Sequence, residues 1–512
     1  MEQRQTGTGC LRQHFGAFPE EKRTAMLAVI STVVFSFAAH GYLFTNELFS
    51  HDSISYFTYA TGSVGFYTGI GRFLIPVYEC LKGNVAAPWL IGLLFIFWMS
   101  AASWIVAQLL QIRSAAGVIL TSGLFCTNIA LTLTGATYIY CMDEYAFALF
   151  AAAAAVWLFR RGGRWMIPGA AVLVVSLAMY QAYFTVAASL CFLLILQRLT
   201  KGECKAVFPD GVRYLGLLAV SFAAYYGIWG LVCNAVGVAK RRVEESLLSG
   251  GGIARIVEAV VDANFGYIRG LFGGSGVLDW LMLAVHAALV VLLVWRLVQI
   301  LRREELALSG KILLVLLVCL IPTAFNSVSI LLAGSANRLT TFAWELFYVL
   351  PVLCREPAEG KTVRPAVRTA LLVLLCCVLW QHTVYANQVY MKKELDKSAT
   401  ISLATRMIDR VEQVEGYVPG ETPVAFVGRL DKNAYLNRGR DEFAALDTTV
   451  GLWSDYSATY NMGRYLTDYL NYPLNWDTVT DFDQHPRAQE MPVFPAVGAI
   501  QMIDGTVVIK LS

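Results

Sequence analysis

Charge is what this chain has least of. Of 512 residues only 15% are Asp, Glu, Lys or Arg, against 57% hydrophobic, which excludes an ordinary soluble multidomain protein. Nucleotide and hydrolase signatures are missing too. No GxGxxG, Walker loop, HExxH or GxSxG occurs, so nothing supports nucleotide hydrolysis, zinc proteolysis or serine chemistry. Eleven cysteines are scattered without a CxxC pair or metal-ligand spacing, and none follows Cys377. A disulfide framework and a structural zinc site are not expected. The first 23 residues carry neither the short apolar core nor the small-residue cleavage site of a signal peptide, so the first span is expected to be retained.

What is present is a series of membrane-length apolar runs, near 24–44, 86–109, 115–136, 143–159, 165–181, 183–199, 213–236, 278–299, 312–333, 340–354 and 369–388. Each is of the order needed to cross about 30 Å of hydrocarbon. The pattern predicts a polytopic α-helical membrane protein of about eleven spans. Lys22-Arg23, Arg113, Arg160-Arg161-Arg164, Arg198-Lys201-Lys205, Arg302-Arg303-Lys311 and Arg355-Lys361-Arg364-Arg368 all fall in one alternate set of short loops. Basic residues favour the cytoplasmic side, so segment 1–23 is placed inside and the C-terminus outside. Loops 45–85 and 238–277 then face outward. The net charge of +3 is explained by this topology and points to no nucleic acid.

Past residue 389 charged residues become frequent and apolar runs shorten. Ile401, Ala404, Ile408, Val411 and Val414 follow helical spacing, Val424–Val427 reads as a buried strand, and Asp504-Gly505 between two apolar runs is a hairpin signal. Segment 389–512 is therefore expected to be a small α/β domain on the outer face. It holds Trp453, Tyr456, Tyr460, Tyr465, Tyr469, Tyr472 and Trp476, interleaved with Asp455, Asp468 and Asp477. Such a run suits sugar rings, and equally a platform at the membrane interface.

The chemistry-bearing residues cluster in the outward loops. Asp52 sits among Phe49, Ile54, Tyr56, Phe57 and Tyr59, a segment apolar enough to lie in the interface, where a carboxylate can serve as a general base. Asp143 and Glu144 open the fourth span: they are either acids complementing a helix dipole or carboxylates facing Asp52 across a cavity. Gln181, within Tyr180-Gln181-Ala182-Tyr183, interrupts an apolar stretch where polar residues usually face a cavity or a neighbouring helix. Arg72, Arg338 and Lys240-Arg241-Arg242 either snorkel to headgroups or clamp a lipid-linked phosphate. His286 reads as a packed helix-interface residue.

Taken in order, these features resemble the bacterial type II Gtr glucosyltransferases, which decorate surface polysaccharide such as O-antigen. The resemblance rests on His51-Asp52, Gly71-Arg72-Phe73, Met142-Asp143-Glu144-Tyr145 leading into an alanine-rich span, and Met179-Tyr180-Gln181-Ala182. It closes on Met491-Pro492-Val493-Phe494-Pro495 and the Asp504–Leu511 ending. Where paired acids would be expected in the first loop, this chain has His51-Asp52. The resemblance implies a GT-C-like membrane glycosyltransferase that takes a hexose from a polyprenyl-phosphate carrier and passes it to a surface glycan acceptor. It would work at the outer face of a bacterial plasma membrane, in contact with membrane lipids. The expected roles are Asp52 as base, Asp143 as supporting acid, Glu144, Tyr180 and Gln181 on the sugar, and Arg72 with Arg338 on the phosphate. No cofactor is required, although a divalent metal between Asp52 and Asp143 is compatible with the pattern. A lipid-linked-sugar flippase and a polysaccharide polymerase are the competing readings. The flippase is disfavoured because no internal repeat is evident and the acids lie at span ends rather than at midspan.

Overall fold

The computed structural model describes residues 20–48, 50, 53, 64–241, 252–272, 279–304, 306–331, 336–356, 364–429, 433, 462–476 and 482–512. Most of them are helical. The chain opens with α1 (Glu20–Thr45), two short helices α2 (Val64–Gly69) and α3 (Ile75–Leu81), and α4 (Pro88–Leu109). It continues through α5 (Ala115–Cys126), α6 (Ile129–Tyr138), α7 (Met142–Arg160), α8 (Met166–Met179), α9 (Phe184–Thr200) and α10 (Cys204–Val236). Then come α11 (Gly252–Phe272), α12 (Asp279–Leu301), α13 (Leu308–Cys319), α14 (Ile321–Phe325), α15 (Ser327–Leu331), α16 (Val349–Arg355) and α17 (Pro365–Glu412).

Among the described residues, seven helical segments are long and apolar enough to cross a membrane: Glu20–Thr45, Pro88–Leu109, Ala115–Arg160, Gln181–Thr200, Cys204–Val236, Trp280–Leu301 and Pro365–Glu412. Gly163–Met179 and Leu308–Cys319 are shorter apolar helices. The chain is a helical membrane protein. Its bundle is held by close packing rather than by a water-driven core, because lipid is as apolar as the side chains. The alanine run of α7 lets α8 approach closely: a Cβ on Gly169 would stand 2.9 Å from both Ala155 O and Phe159 N.

Within 115–160 the backbone breaks twice. Asn128 ends α5 and starts α6 by accepting from Ala130 N at 2.9 Å, while its amide donates to Phe342 O at 3.1 Å. An Asn side chain competes for backbone groups in this way. The 3-10 turn Ile139–Cys141 then sets the start of α7.

α17 runs 48 residues without a break, roughly 70 Å at helical rise. It passes straight through residue 389, where composition changes. Its first half lays Leu371, Leu375, Val378, Tyr385 and Val389 on the bundle, and its last turns lay Leu403, Met407 and Val411 under a sheet. That sheet has four strands, β1 (Pro423–Val427), β2 (Asn475–Trp476), β3 (Ile500–Ile503) and β4 (Thr506–Lys510), in the order β2-β1-β4-β3. β1 pairs parallel with β2 and β4, in the latter case Val424 with Val507 and Phe426 with Ile509. β3 and β4 form the antiparallel hairpin, turned by Asp504 at φ 49° and Gly505 at φ 82°, as a two-residue turn with two left-handed positions requires. Burying a side chain such as Leu403 away from water contributes about 1.5–3 kcal/mol.

Candidate functional site

The site is built on the connection between α1 and α4. Gly71, at φ +84°, ends the turn after α2; a Cβ there would overlap the Tyr225 hydroxyl and stand 2.6 Å from Gln181 Nε2. Both neighbours are there because they hold the turn. Tyr225 OH donates to Gly71 O at 3.1 Å, and Gln181 Nε2 donates to Ile70 O at 2.8 Å and to Tyr225 OH at 2.9 Å. Trp229 Nε1 donates to Thr68 O at 2.7 Å. Only glycine fits, and the turn leads directly into Arg72.

Arg72 meets aromatic rings rather than acids. Nη1 donates to Tyr145 OH at 2.7 Å, and the guanidinium carbon stands 4.9 Å from the Tyr180 ring centroid and 5.7 Å from that of Tyr145. Those two rings stack on each other, 3.9 Å apart and 9° from parallel. Nε is buried with no acceptor among the described residues. A ring face holds a cation without neutralising it, so most of this guanidinium's hydrogen-bonding capacity remains open.

Ten residues later, Lys82 caps the end of α3. Nζ lies 3.1 Å from Asp143 Oδ1 and 3.1 Å from Glu144 Oε1, with the three side chains almost wholly buried. It also reaches Tyr140 O at 3.4 Å. Burial alone would lower the lysine pKa, but the charges of Glu144 and Asp143 outweigh it and hold the ammonium above its usual value. Tyr78 OH, which accepts from Trp98 Nε1 at 2.9 Å, stands beside Asp143. Glu144 Oε2 has no hydrogen-bond partner among the described residues. The two acids at the start of α7 therefore face a buried ammonium from the first connection, a pairing stronger than dipole complementation alone.

The structure brings Arg72, Glu144, Asp143, Tyr180 and Gln181 to one end of the bundle. Asp52 and His51 lie outside the described residues, as do Arg242, Trp453, Tyr456 and Tyr460. The residues that bracket the His51-Asp52 pair are described: Ser50 and Ser53 are both buried, and Ser50 Oγ donates to Thr137 O at 2.5 Å, three residues before Tyr140. Arg338 has other described partners. Nη2 donates to Gly270 O at 3.3 Å, and its charge acts on Glu345, whose carboxylate accepts from Ile129 N at 2.9 Å and stands 3.5 Å from His382 Nδ1. No contact among the described residues joins Arg338 to Arg72. His286 is a packed residue bonded to Tyr348 OH at 2.6 Å. Among the described residues no group of three His, Cys, Asp or Glu is arranged to hold a metal ion.

Sequence reasoning missed Lys82 and Tyr225, and quoted Tyr145 in a motif without giving it a role. Lys82 left a signal: from residue 73 to 112 it is the sole Lys or Arg, in a loop already short of basic residues.

No curated protein and no solved structure matches the chain. The family described as Glucosyl transferase GtrII does match, over residues 41–355, a stretch that holds the whole Arg72 and Lys82 arrangement. With more than half its length inside that match, the chain belongs to the GtrII glucosyl transferase family and is a glycosyltransferase.

Proposed function

We propose that this protein moves a hexose, glucose first among candidates, from a polyprenyl-phosphate carrier to a surface glycan at the outer face of a bacterial plasma membrane. The observation that carries the donor class is Arg72. It is oriented by a clamped turn and two stacked tyrosines, and no carboxylate among the described residues pairs with it. A phosphate monoanion or dianion is the ligand such a guanidinium suits, through paired N–H···O bonds. A lipid-linked donor also accounts for a site at a bundle end, where an isoprenoid tail can remain in the bilayer while its phosphate meets Arg72.

The chemistry divides among the residues as follows. Asp52, two residues from the anchored Ser50, takes the proton of the acceptor hydroxyl as that oxygen attacks the anomeric carbon. The bond from that carbon to the phosphate oxygen breaks on the opposite side, so configuration inverts, and Arg72 receives the charge that develops on the leaving phosphate. Glu144 and Asp143, held beside Lys82, meet the sugar hydroxyls, with Tyr180 and Gln181 shaping the wall. In this reading the chain crosses the membrane about eleven times with the N-terminus inside. Segment 389–512 then sits outside, where it contacts the glycan acceptor.

The test is transfer of labelled glucose from polyprenyl-phosphate-glucose by the purified full chain, with an extracted glycan as acceptor. Acceptor-dependent transfer that is lost in Asp52→Asn supports donor and base together. Full activity in that variant removes Asp52 from the role. Movement of the labelled lipid between liposome leaflets without transfer replaces the transfer reading with a flippase.

A further inference from the structure

At the opposite end of α7, about 25 Å from Asp143 at helical rise, a second cation has no ion-pair partner among the described residues. There Arg160 donates to Leu109 O, and the chain turns through Arg113 and Ser114 into α5. Arg355, the last residue of α16, is only 7% exposed. Its Nε and Nη1 are buried with no acceptor among the described residues. The adjacent acid does not serve it. Glu356 accepts from Arg113 N at 2.9 Å, from Ser114 N at 3.0 Å and from Ser114 Oγ. The larger neighbouring charge is Arg368 of α17. Burial first, and then this like charge, pull the Arg355 guanidinium below its ordinary pKa, with Glu356 only partly offsetting them. A third cation, Arg296 of α12, stands beside Cys354.

A buried guanidinium is unfavourable by several kcal/mol without a counter-charge, and none pairs with Arg355 among the described residues, so an anion belongs at this place. Its surroundings say which kind. Just over one helical turn beyond Arg368, α17 presents Val373 at 54% exposure, followed by Trp380 at 67%, a face suited to hydrocarbon. The cations thus lie where the lipid-facing surface begins, at headgroup depth, in a seam formed by α16 with α5, α12 and α17. We propose that Arg355 and Arg368 bind the phosphate of an acidic phospholipid, whose acyl chains lie along the exposed face of α17. Basic pockets between membrane helices bind acidic headgroups by the same physics. The site is separate from the donor site and does not depend on the transfer reading.

The experiment compares purified full-length protein in mild detergent with phosphatidylglycerol, phosphatidylcholine or inorganic phosphate, read by thermal unfolding and by native mass spectrometry. Phosphatidylglycerol is expected to raise the unfolding temperature and to remain bound, whereas phosphatidylcholine and phosphate do neither. Arg355→Gln and Arg368→Gln should each weaken phosphatidylglycerol binding roughly tenfold, and Arg302→Gln, a basic change in a neighbouring loop, should not. If Arg355→Gln does not fold, Arg368→Gln alone decides. A stabilisation reproduced in full by inorganic phosphate would overturn the lipid assignment in favour of a soluble anion. Phosphatidylglycerol binding unchanged in Arg368→Gln would overturn the site.

Discussion

Lys82 and Arg72 belong to the same connection and end up in opposite electrostatic situations. The ammonium of Lys82 is enclosed by two carboxylates and a carbonyl. The guanidinium of Arg72 is enclosed by two tyrosine rings and a single hydroxyl. A cation that has found its acids holds the fold together. A cation held in place but left charged is available to a ligand. The contrast teaches which of two nearby basic residues to assign to structure and which to chemistry, something neither residue type reveals by itself.

The comparison can be broken from either side. Lys82→Met leaves Asp143 and Glu144 buried without a counter-charge, and is expected to destabilise the protein by about 3–5 kcal/mol. A thermal-unfolding series on membrane-extracted protein measures this. Adding Asp143→Asn and Glu144→Gln to the lysine variant should recover most of that loss. If stability stays low in the triple variant, the ion cluster is not what the lysine supports.

Arg72→Lys keeps a charge but loses the forked donor geometry, so glucose transfer should fall by roughly 10²-fold with unfolding unchanged. A loss of stability as large as that of Lys82→Met would abolish the distinction between the two cations. Gly71→Ala comes next, forcing a side chain into a left-handed position already occupied by Tyr225 and Gln181. The expected destabilisation is about 1–3 kcal/mol, accompanied by lower transfer because Arg72 shifts. Tyr145→Phe removes the one hydrogen bond that the Arg72 side chain makes among the described residues and retains the stacked ring. Transfer should fall by about tenfold or less, with the change carried by KM if the phosphate site is what suffers.

The smallest effect concerns pH. Because the Lys82 pKa is raised in the fold, its contribution is complete below the unfolded lysine value of 10.5 and declines only as pH rises above that value. The stability gap between wild type and Lys82→Met should therefore not close between pH 7 and pH 9. A gap that closes between them would show that Lys82 titrates inside the fold at ordinary pH.

Several parts of this architecture could be read from residue patterns. Apolar runs of membrane length marked α1, α4 and α12, and Asp504-Gly505 marked the β3–β4 hairpin at its observed turn. In each case the signal is local: hydrophobic length, or two residues that tolerate positive φ. The unbroken passage of α17 through residue 389 was not legible, because a helix that leaves lipid for water changes its composition without changing its backbone. Nor was the break at Asn128, whose amide is explained by Phe342, more than two hundred residues away. The site was half legible. Gly71-Arg72, Asp143-Glu144 and Tyr180-Gln181 stood out as polar interruptions of apolar sequence, but their grouping did not. Arg338 looked equivalent to Arg72, and its described partners are Gly270 and Glu345.

By itself the sequence determined that this chain is helical, that it lives in a membrane and which short polar segments interrupt its apolar runs, because those properties follow from hydrophobic length and from the cost of charge in hydrocarbon. Tertiary structure decided which cation meets which acid. Lys82 and Asp143 are far apart in sequence and 3.1 Å apart in space, and only the packing of α3 against the start of α7 decides that Lys82, and among the described residues not Arg72 ten residues earlier, takes up these acids.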